Sequence, residues 1–202
     1  MLYQIKSNDV YKAAQVLGES FIDYPIFSFI LPERTYREKK IKFLFTFLIN
    51  LGLLSGEVLA SSNKMEGISI WIDSSSKKIS AIKIFWYCLI PLFLRVNPMS
   101  AFRLIKIGLL REKIRKDILK GPYFLLDIIG VSPMHQNQGH ARRIIESKLE
   151  EYDDQPKPCY LETSDKENIT FYEKYNFRLY YEYQLKTLKI YGLLRESKLS
   201  TT

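Results

Sequence analysis

Hydrophobic and polar positions change spacing several times along the chain, and each change marks a predicted element. Val10, Ala13, Leu17 and Phe21 recur at helical spacing behind Asn8-Asp9, which predicts a first helix capped by that polar pair. The other predicted elements are, in chain order, a strand at 4–5 before this helix, a helix at 36–54, strands at 57–60 and 65–72 joined by a turn, a strand at 123–131, a helix at 141–152, a strand at 158–162, a helix opened by a capping box at 164–167, and strands at 177–185 and 188–194.

Residues 76–120 interrupt this order with a helical and basic stretch, which Asn97-Pro98 divides into two helices. The spacing of Phe102, Ile105, Leu109 and Ile118 predicts a buried stripe beneath a solvated basic face. The aromatic run at 85–87 is predicted to lie in the core. Residues 84–94 are the most hydrophobic run, but a membrane span needs roughly 20 apolar residues, so none is predicted.

The order of the elements predicts a mixed α/β (α+β) fold. The strand-helix-strand-helix-strand-strand pattern of the second half requires a central sheet that is part parallel and part antiparallel, with flanking helices. No internal repeat or long linker divides the chain. We therefore predict a single domain over 1–202, with a helical insertion at about 76–120.

Composition narrows the class of protein. Hydrophobic residues make up 47% and charged residues 26% of the 202 residues, which is typical of a globular protein and excludes a disordered one. The net charge of +8 favours an anionic partner: a nucleic acid, a membrane surface or a phosphorylated small molecule. Two cysteines and an N-terminus without a signal-peptide pattern favour a reducing, cytoplasmic location.

The stretch 127–143 carries the most informative motif. A strand ends at Val131, Pro133 turns the chain, and Gly139-x-Ala141 begins a helix. Amide groups at a helix N-terminus have no intrahelical acceptor, and the helix dipole favours an anion there. Small residues allow close approach, so the loop suits a pyrophosphate. It lacks the Gly-Lys-Ser/Thr of a Walker A loop and the three glycines of a dinucleotide loop.

Two blocks of this sequence resemble one enzyme family. Val-x-Pro-x-x-Gln-x-x-Gly-x-Ala at 131–141 resembles motif A of the GNAT acyltransferases, and Leu-Glu-Thr-Ser at 161–164 with Asn168 and 171–177 resembles a second family segment. The N-terminal half is similar to the puromycin N-acetyltransferase-like branch, through 24–27 and 67–71. Asn137 and Asn176 replace family glycines, and asparagine tolerates the left-handed backbone of such turns.

The resemblance implies the GNAT fold, a mostly antiparallel sheet with splayed parallel strands, and acetyl-CoA as the acyl donor. It implies that Ile129 and Val131 pair with the pantetheine arm, and that a bulge at Gly130 separates the strands. Asn168, Phe171 and Tyr172 would contact the cofactor from one helix. The amides implied to hold the pyrophosphate belong to Gln136, Asn137, Gln138, Gly139, His140, Ala141 and Arg142.

For the chemistry, the resemblance implies that Tyr172 protonates the departing thiolate. An amine acceptor also needs a proton acceptor, because an alkylamine is mostly protonated at neutral pH. Asp127 is the first candidate, since it shares strand parity with Ile129 and Val131. Glu162 on the neighbouring strand is the second, and water is the third. Only His135 and His140 are histidines, without partners at ligand spacing, so no metal is predicted.

The predicted function is an N-acetyltransferase, a transferase that moves acetyl from acetyl-CoA to the primary amine of a small acceptor by direct attack. Two alternatives stay open at this point. One is a regulatory module that binds CoA without catalysis, and the other is a membrane or nucleic-acid binding protein that uses the basic helices. The main prediction includes no nucleic-acid partner and no transmembrane segment, and it leaves a homodimer open.

Overall fold

A computed structural model describes residues 1–76 and 80–201. The predicted insertion includes 77–79, which lie outside the described residues. The helices are α1 (Val10–Ser20), α2 (Pro25–Ile30), α3 (Arg34–Ser55), α4 (Ala81–Ile84), α5 (Ile90–Arg95), α6 (Pro98–Ile118), α7 (His140–Tyr152) and α8 (Glu167–Glu173), with a π-helical segment (Phe85–Leu89) between α4 and α5. The strands are β1 (Tyr3–Gln4), β2 (Glu57–Ala60), β3 (Gly67–Asp73), β4 (Phe124–Val131), β5 (Cys159–Thr163), β6 (Arg178–Leu185) and β7 (Leu188–Arg195).

The strands form one seven-stranded sheet within the described residues, in the order β1-β2-β3-β4-β5-β7-β6. The β4–β5 pair is parallel, and the other pairs are antiparallel. Helices α1 to α6 supply the apolar cluster on one face, and α7 and α8 supply the cluster on the other. The predicted mixed fold is therefore confirmed.

Strands β4 and β5 pair over a short distance only. Their register runs from Phe124 opposite Cys159 to Leu126 opposite Leu161. Beyond that point both strands continue without pairing to each other, so residues 127–131 present an open backbone edge towards β5. This splay is the structural feature that creates a cleft in the middle of the sheet.

The irregularity in β4 lies at Asp127 and not at Gly130, so the predicted position of the bulge is wrong. Ile70 of β3 pairs with Ile128 and Trp71 pairs with Leu126, which leaves Asp127 as the extra residue. The extra residue reverses the alternation of faces. Ile129 therefore packs on the α7 side while Asp127 contacts α6, and the predicted shared parity of these two residues is also wrong.

A glycine at position 130 is required by the close packing of α1 against β4, and not by a bulge. A Cβ atom at this position would lie 2.7 Å from a Phe21 ring carbon and 2.8 Å from Ser20 Oγ. Both distances are far below van der Waals contact. The glycine therefore lets α1 approach β4 closely, and it pairs regularly with Ile68 of β3.

Two predicted helix caps are absent from the structure. Asp9 does not cap α1, because its carboxylate accepts hydrogen bonds from the Lys6 amide (2.9 Å) and the Tyr3 hydroxyl (3.0 Å). Ser164 does not cap α8, and its hydroxyl is buried without a partner. The Asp165 carboxylate accepts the Glu167 amide instead, at 3.0 Å.

The insertion presents a different face from the predicted one. Leu104 and Ile107 of α6 are buried, whereas Phe102 and Leu109 of the predicted stripe are exposed. The aromatic run of the π-helical segment, placed in the core by the sequence pattern, is exposed as well. Across residues 1–76 and 80–201, no helix combines the length and the hydropathy that crossing a bilayer requires.

Candidate functional site

The splay between β4 and β5 opens into a cavity of ≈ 650 Å³. Five of the sequence-predicted site residues line it, and they come from three separate elements. These residues are Asp127, Ile129, Glu162, Asn168 and Tyr172. Chain segments as much as 45 positions apart thus meet at one cleft, and the cavity is large enough for a small molecule.

An apolar wall closes the other side of the cavity. Phe47, Leu48 and Leu51 contribute from α3, and Leu104 and Ile105 contribute from α6. The predicted insertion therefore forms part of the cavity wall. A ligand in the cavity would meet charged and hydroxyl groups at the strand ends and hydrocarbon on the helices, which is the usual composition of a small-molecule site.

The predicted phosphate loop lies at the outer end of β4. Asn137 has φ 61° and Gly139 has φ 83°, both left-handed, and Asn176 in the second block has φ 65°. The prediction that both asparagines adopt this backbone is confirmed. The Arg143 amide donates to the Gly139 carbonyl at 2.9 Å, so the amides of the preceding helix residues remain without an intrahelical acceptor.

The side chains of this loop are exposed or paired on the surface, so the groups that the loop can offer to a ligand are its backbone amides. Residues 136–139 are exposed, and Arg142 forms an ion pair with Glu146 at 2.8 Å on the surface of α7. His140 Nδ1 lies 3.1 Å from Ser61 Oγ. The loop residues do not line the described cavity, and neither do Val131 and Phe171. The loop therefore lies outside the described cavity, beyond the end of β4.

Helix α8 directs two of the predicted residues towards the cleft. Asn168 Nδ2 donates to Thr163 Oγ1 at 3.2 Å, and Tyr172 is buried against Phe171 and Phe177. Burial raises the pKa of Tyr172, and the nearby Tyr24 and Tyr175 raise it further. The Tyr172 hydroxyl is therefore protonated across the neutral range and is able to donate a hydrogen bond.

Tyr24 joins this group although its side chain was not predicted as a site residue. Its hydroxyl lies 2.6 Å from Thr163 Oγ1 and accepts the Ser164 amide at 3.0 Å. Tyr24 also lines the cavity. The hydroxyl thus holds the free end of β5, a contact across about 140 residues that no local pattern indicates.

A cluster of charges occupies the other side of the splay. The Arg111 guanidinium donates to Asp127 at 3.2 Å and also to Glu162, and Arg115 lies 3.6 Å from Glu162. Burial by itself lowers the pKa of Arg111, but the charges of Glu162 and Asp127 outweigh it and raise the pKa. Both predicted base candidates are therefore partners of one largely buried cation.

Sequence reasoning missed Arg111 and Arg115 because it counted them among the surface charges of a basic helix. The Arg115 side chain is only 9% exposed, and that of Glu162 is 1% exposed. The sequence does contain a signal for this pair, since Arg111 and Arg115 are four residues apart and therefore lie on one helix face. Within the described residues, no group of three His, Cys, Asp or Glu side chains is placed to hold a metal ion.

Comparisons with known proteins agree with this geometry. No protein-family model matches the chain. A protein named as an uncharacterized N-acetyltransferase of Schizosaccharomyces pombe is 26% identical over 182 residues, 86% of this chain and 72% of its own length. The structure of histone acetyltransferase HPA2 and related acetyltransferase from Corynebacterium glutamicum has a TM-score of 0.68 at 14% identity, covering 100% of this chain and 98% of its own.

A mosquito arylalkylamine N-acetyltransferase-like structure has a TM-score of 0.60 at 9% identity and covers 97% of this chain and 99% of its own. The likeness extends over nearly the whole chain, so the seven-stranded sheet and its flanking helices match the fold of these acetyltransferases. The chain therefore has the GNAT acetyltransferase fold. The named relatives are N-acetyltransferases, which supports the prediction of an acyltransferase enzyme.

Proposed function

We propose that this protein is an acetyl-CoA-dependent N-acetyltransferase that acetylates a small primary amine with an apolar body. The observation that carries the proposal is the splay of β4 and β5, which opens onto the ≈ 650 Å³ cavity beside Tyr172. The resemblance of 24–27 and 67–71 keeps the puromycin N-acetyltransferase-like branch within the proposal. The buried free thiols of Cys88 and Cys159 suit the proposed cytoplasmic location, because reducing compartments keep thiols unpaired.

The residues present fit acetyl-CoA as a substrate. The amides of 136–142 offer donors to a pyrophosphate at the N-terminus of α7, where the helix dipole favours negative charge. The open edge of β4 at Ile129 and Val131 offers backbone groups to an extended pantetheine arm. The buried Ser164 hydroxyl, which has no partner in the described structure, offers a further polar contact in the cavity.

Asp127 and Tyr172 carry out the two proton transfers in the proposal, one as acceptor and the other as donor. Asp127, at the rim of the splay, accepts the proton of the attacking amine directly or through water. Glu162 is almost fully buried between two arginines, so its proposed role is to hold those arginines and not to accept a proton. Tyr172 donates to the sulfur as the carbon–sulfur bond breaks, since a hydroxyl hydrogen bond stabilises the forming thiolate.

The cavity lining indicates the acceptor class. An apolar wall from α3 and α6 faces the carboxylate of Asp127, and this arrangement suits a cationic amine on a hydrocarbon or aromatic body. The two structurally similar proteins are named as a histone acetyltransferase and as an arylalkylamine N-acetyltransferase-like protein, so the shared fold leaves the acceptor open. The proposed acceptor class therefore rests on the cavity lining and not on those names.

Titration calorimetry with acetyl-CoA tests the first part of the proposal, and thiol release with a panel of amines tests the second. We expect saturable acetyl-CoA binding and faster CoA release with arylalkylamines than with small hydrophilic amines. Absence of binding at millimolar acetyl-CoA would refute the proposal. Binding without transfer to any amine would favour the regulatory module instead.

A further inference from the structure

The insertion carries an exposed apolar surface that has no role in the proposed proton transfers or in the proposed acetyl-CoA contacts. Its members are large hydrophobic side chains, each at least 43% exposed. They are Ile82, Phe85, Trp86, Tyr87, Phe93, Leu94, Met99, Phe102 and Leu109. They all lie between residues 82 and 109, so one segment supplies the whole surface. Water contact of so many large apolar side chains in one region indicates a binding surface.

The exposed apolar surface is ordered along α6. Met99, Phe102, Lys106 and Leu109 follow at intervals of three and four residues, so they form one stripe of the helix. The opposite stripe, which includes Leu104 and Ile107, is buried in the core. The exposed side chains therefore cannot turn inwards without withdrawing the buried ones, and α6 presents hydrocarbon to solvent as a stable arrangement.

Positive charge accompanies this hydrocarbon. Residues 81–110 contain Lys83, Arg95, Arg103 and Lys106 and no acidic residue. Within the described residues, none of these four cations forms an ion pair, whereas Arg111 and Arg115 both pair with the buried carboxylate of Glu162. The uncompensated charge therefore lies beside the apolar side chains, and the charge of the insertion that sequence analysis assigned to a solvated face is partly neutralised inside.

We propose that the exposed apolar surface docks the protein on an anionic lipid membrane. Unpaired lysine and arginine beside exposed aliphatic and aromatic side chains match such a surface, since the cations meet lipid headgroups and the apolar groups enter the interface. Trp86 and Tyr87 have the amphipathic rings that favour this depth. The proposal concerns peripheral binding and does not depend on acetyl transfer.

The cavity is continuous with this surface. Leu109 belongs to the exposed stripe and also lines the cavity. Ile84, which directly precedes Phe85, and Leu89, at the end of the π-helical segment, line it too. Docking would therefore place the cavity wall next to the lipid. An apolar amine dissolved in the membrane would reach the cavity without crossing water, which gives the location a use in the proposed reaction.

Tryptophan fluorescence tests the docking directly, because the two tryptophans differ in exposure. Trp86 is 62% exposed and Trp71 is 1% exposed, so only Trp86 can report a change of solvent. Titration with phosphatidylcholine vesicles containing phosphatidylserine should shift the emission to the blue, and pure phosphatidylcholine should not. Trp86→Phe should remove the shift yet retain binding in a flotation assay. Salt should weaken binding.

Paired variants separate the apolar and the electrostatic contributions. Phe85→Ser with Trp86→Ser should lower vesicle affinity at least about tenfold, while Leu179→Ser on exposed β6 should not. Lys83→Gln with Lys106→Gln should also lower it about tenfold. Lys12→Gln with Lys39→Gln removes the same charge from exposed positions outside the insertion and should have little effect. Thermal melting of each variant verifies folding.

Three results would overturn the proposal. Equal vesicle binding by the insertion variants and their controls would show that another surface makes the contact. A dimer in sedimentation velocity that the Phe85→Ser, Trp86→Ser variant dissociates would assign the surface to a second copy of the chain. Binding to a DNA duplex without binding to anionic vesicles would assign it to nucleic acid. None of these measurements involves acetyl-CoA. Failure of the proposed function and failure of the docking proposal can therefore be told apart.

Discussion

The Arg111 guanidinium lies 3.2 Å from the Asp127 carboxylate and also donates to Glu162. Pairing of β4 with β5 ends at Leu126 and Leu161, so Asp127 and Glu162 are the first residues of the two strands that do not pair with the neighbouring strand across the splay. One cation from α6 thus bridges the two strands where they separate. The insertion that supplies Arg111 therefore contributes to the lining of the cavity at the point where the strands separate.

The Arg111 bridge leads to a stability prediction. Arg111→Met leaves Asp127 without its cation and Glu162 with Arg115 alone, in a largely buried place, and breaking a buried pair in this way costs about 3–5 kcal/mol. We expect a loss of this size in the free energy of unfolding measured by urea titration. Arg103→Met is the control on the same helix, and it should change stability by less than about 0.5 kcal/mol. Equal effects would mean that the bridge contributes nothing specific.

The two carboxylates should differ in kinetic effect. Asp127→Asn still accepts a hydrogen bond from Arg111 but cannot take a proton, so kcat should fall about a hundredfold. Glu162→Gln should lower stability and leave kcat within a few-fold, because Glu162 holds the arginines. Steady-state kinetics with the best amine of the panel gives both values. A larger kcat loss for Glu162→Gln would reverse the assignment.

Tyr172→Phe removes the proposed donor and keeps the buried ring. We expect kcat to fall about a hundredfold, since general acid catalysis contributes typically 10²–10⁴. Acetyl-CoA affinity from calorimetry should change little, because the hydroxyl acts on the leaving sulfur. Tyr175→Phe is the matched control, since Tyr175 packs on Phe171 but does not line the cavity. A normal kcat for Tyr172→Phe would exclude the role.

Gly130 and Gly108 make a matched pair for packing. Gly130→Ala puts a methyl group within 2.7 Å of Phe21, and overpacking of this kind costs about 1–3 kcal/mol. Gly108 lies within α6 with open space around its Cβ position, so Gly108→Ala should raise stability by about 1 kcal/mol. Chemical denaturation measures both. Similar changes at the two positions would contradict the close approach of α1 to β4.

The cysteines should be unreactive while the protein is folded. Burial raises the pKa of Cys88, and it raises the pKa of Cys159 to about 12. A raised pKa keeps the thiol protonated at pH 8, and the thiolate is the reactive form. Ellman's reagent should therefore detect two thiols in the denatured protein and almost none in the folded protein. The thiol-release assay then has a low background. Fast labelling of the folded protein would contradict this burial.

Local patterns in the sequence determined the order of most elements and several turns. Asn137 and Asn176 could be predicted to adopt left-handed backbone because side-chain chemistry decides that conformation within one residue. The polar turn residues Ser62-Asn63-Lys64 between two strand-like runs predicted the β2–β3 hairpin for the same local reason. Helix α2 was missed, since six residues after Pro25 are too few to show a helical period.

Only the tertiary structure decided how distant segments meet. The extra residue at Asp127, the Tyr24 contact with β5 and the Arg111 bridge each join parts of the chain far apart in sequence, and no local spacing records such contacts. The orientation of α6 was decided in the same way. Either of two apolar stripes could have been buried, and packing against the core buried Leu104 and Ile107 and exposed Phe102 and Leu109.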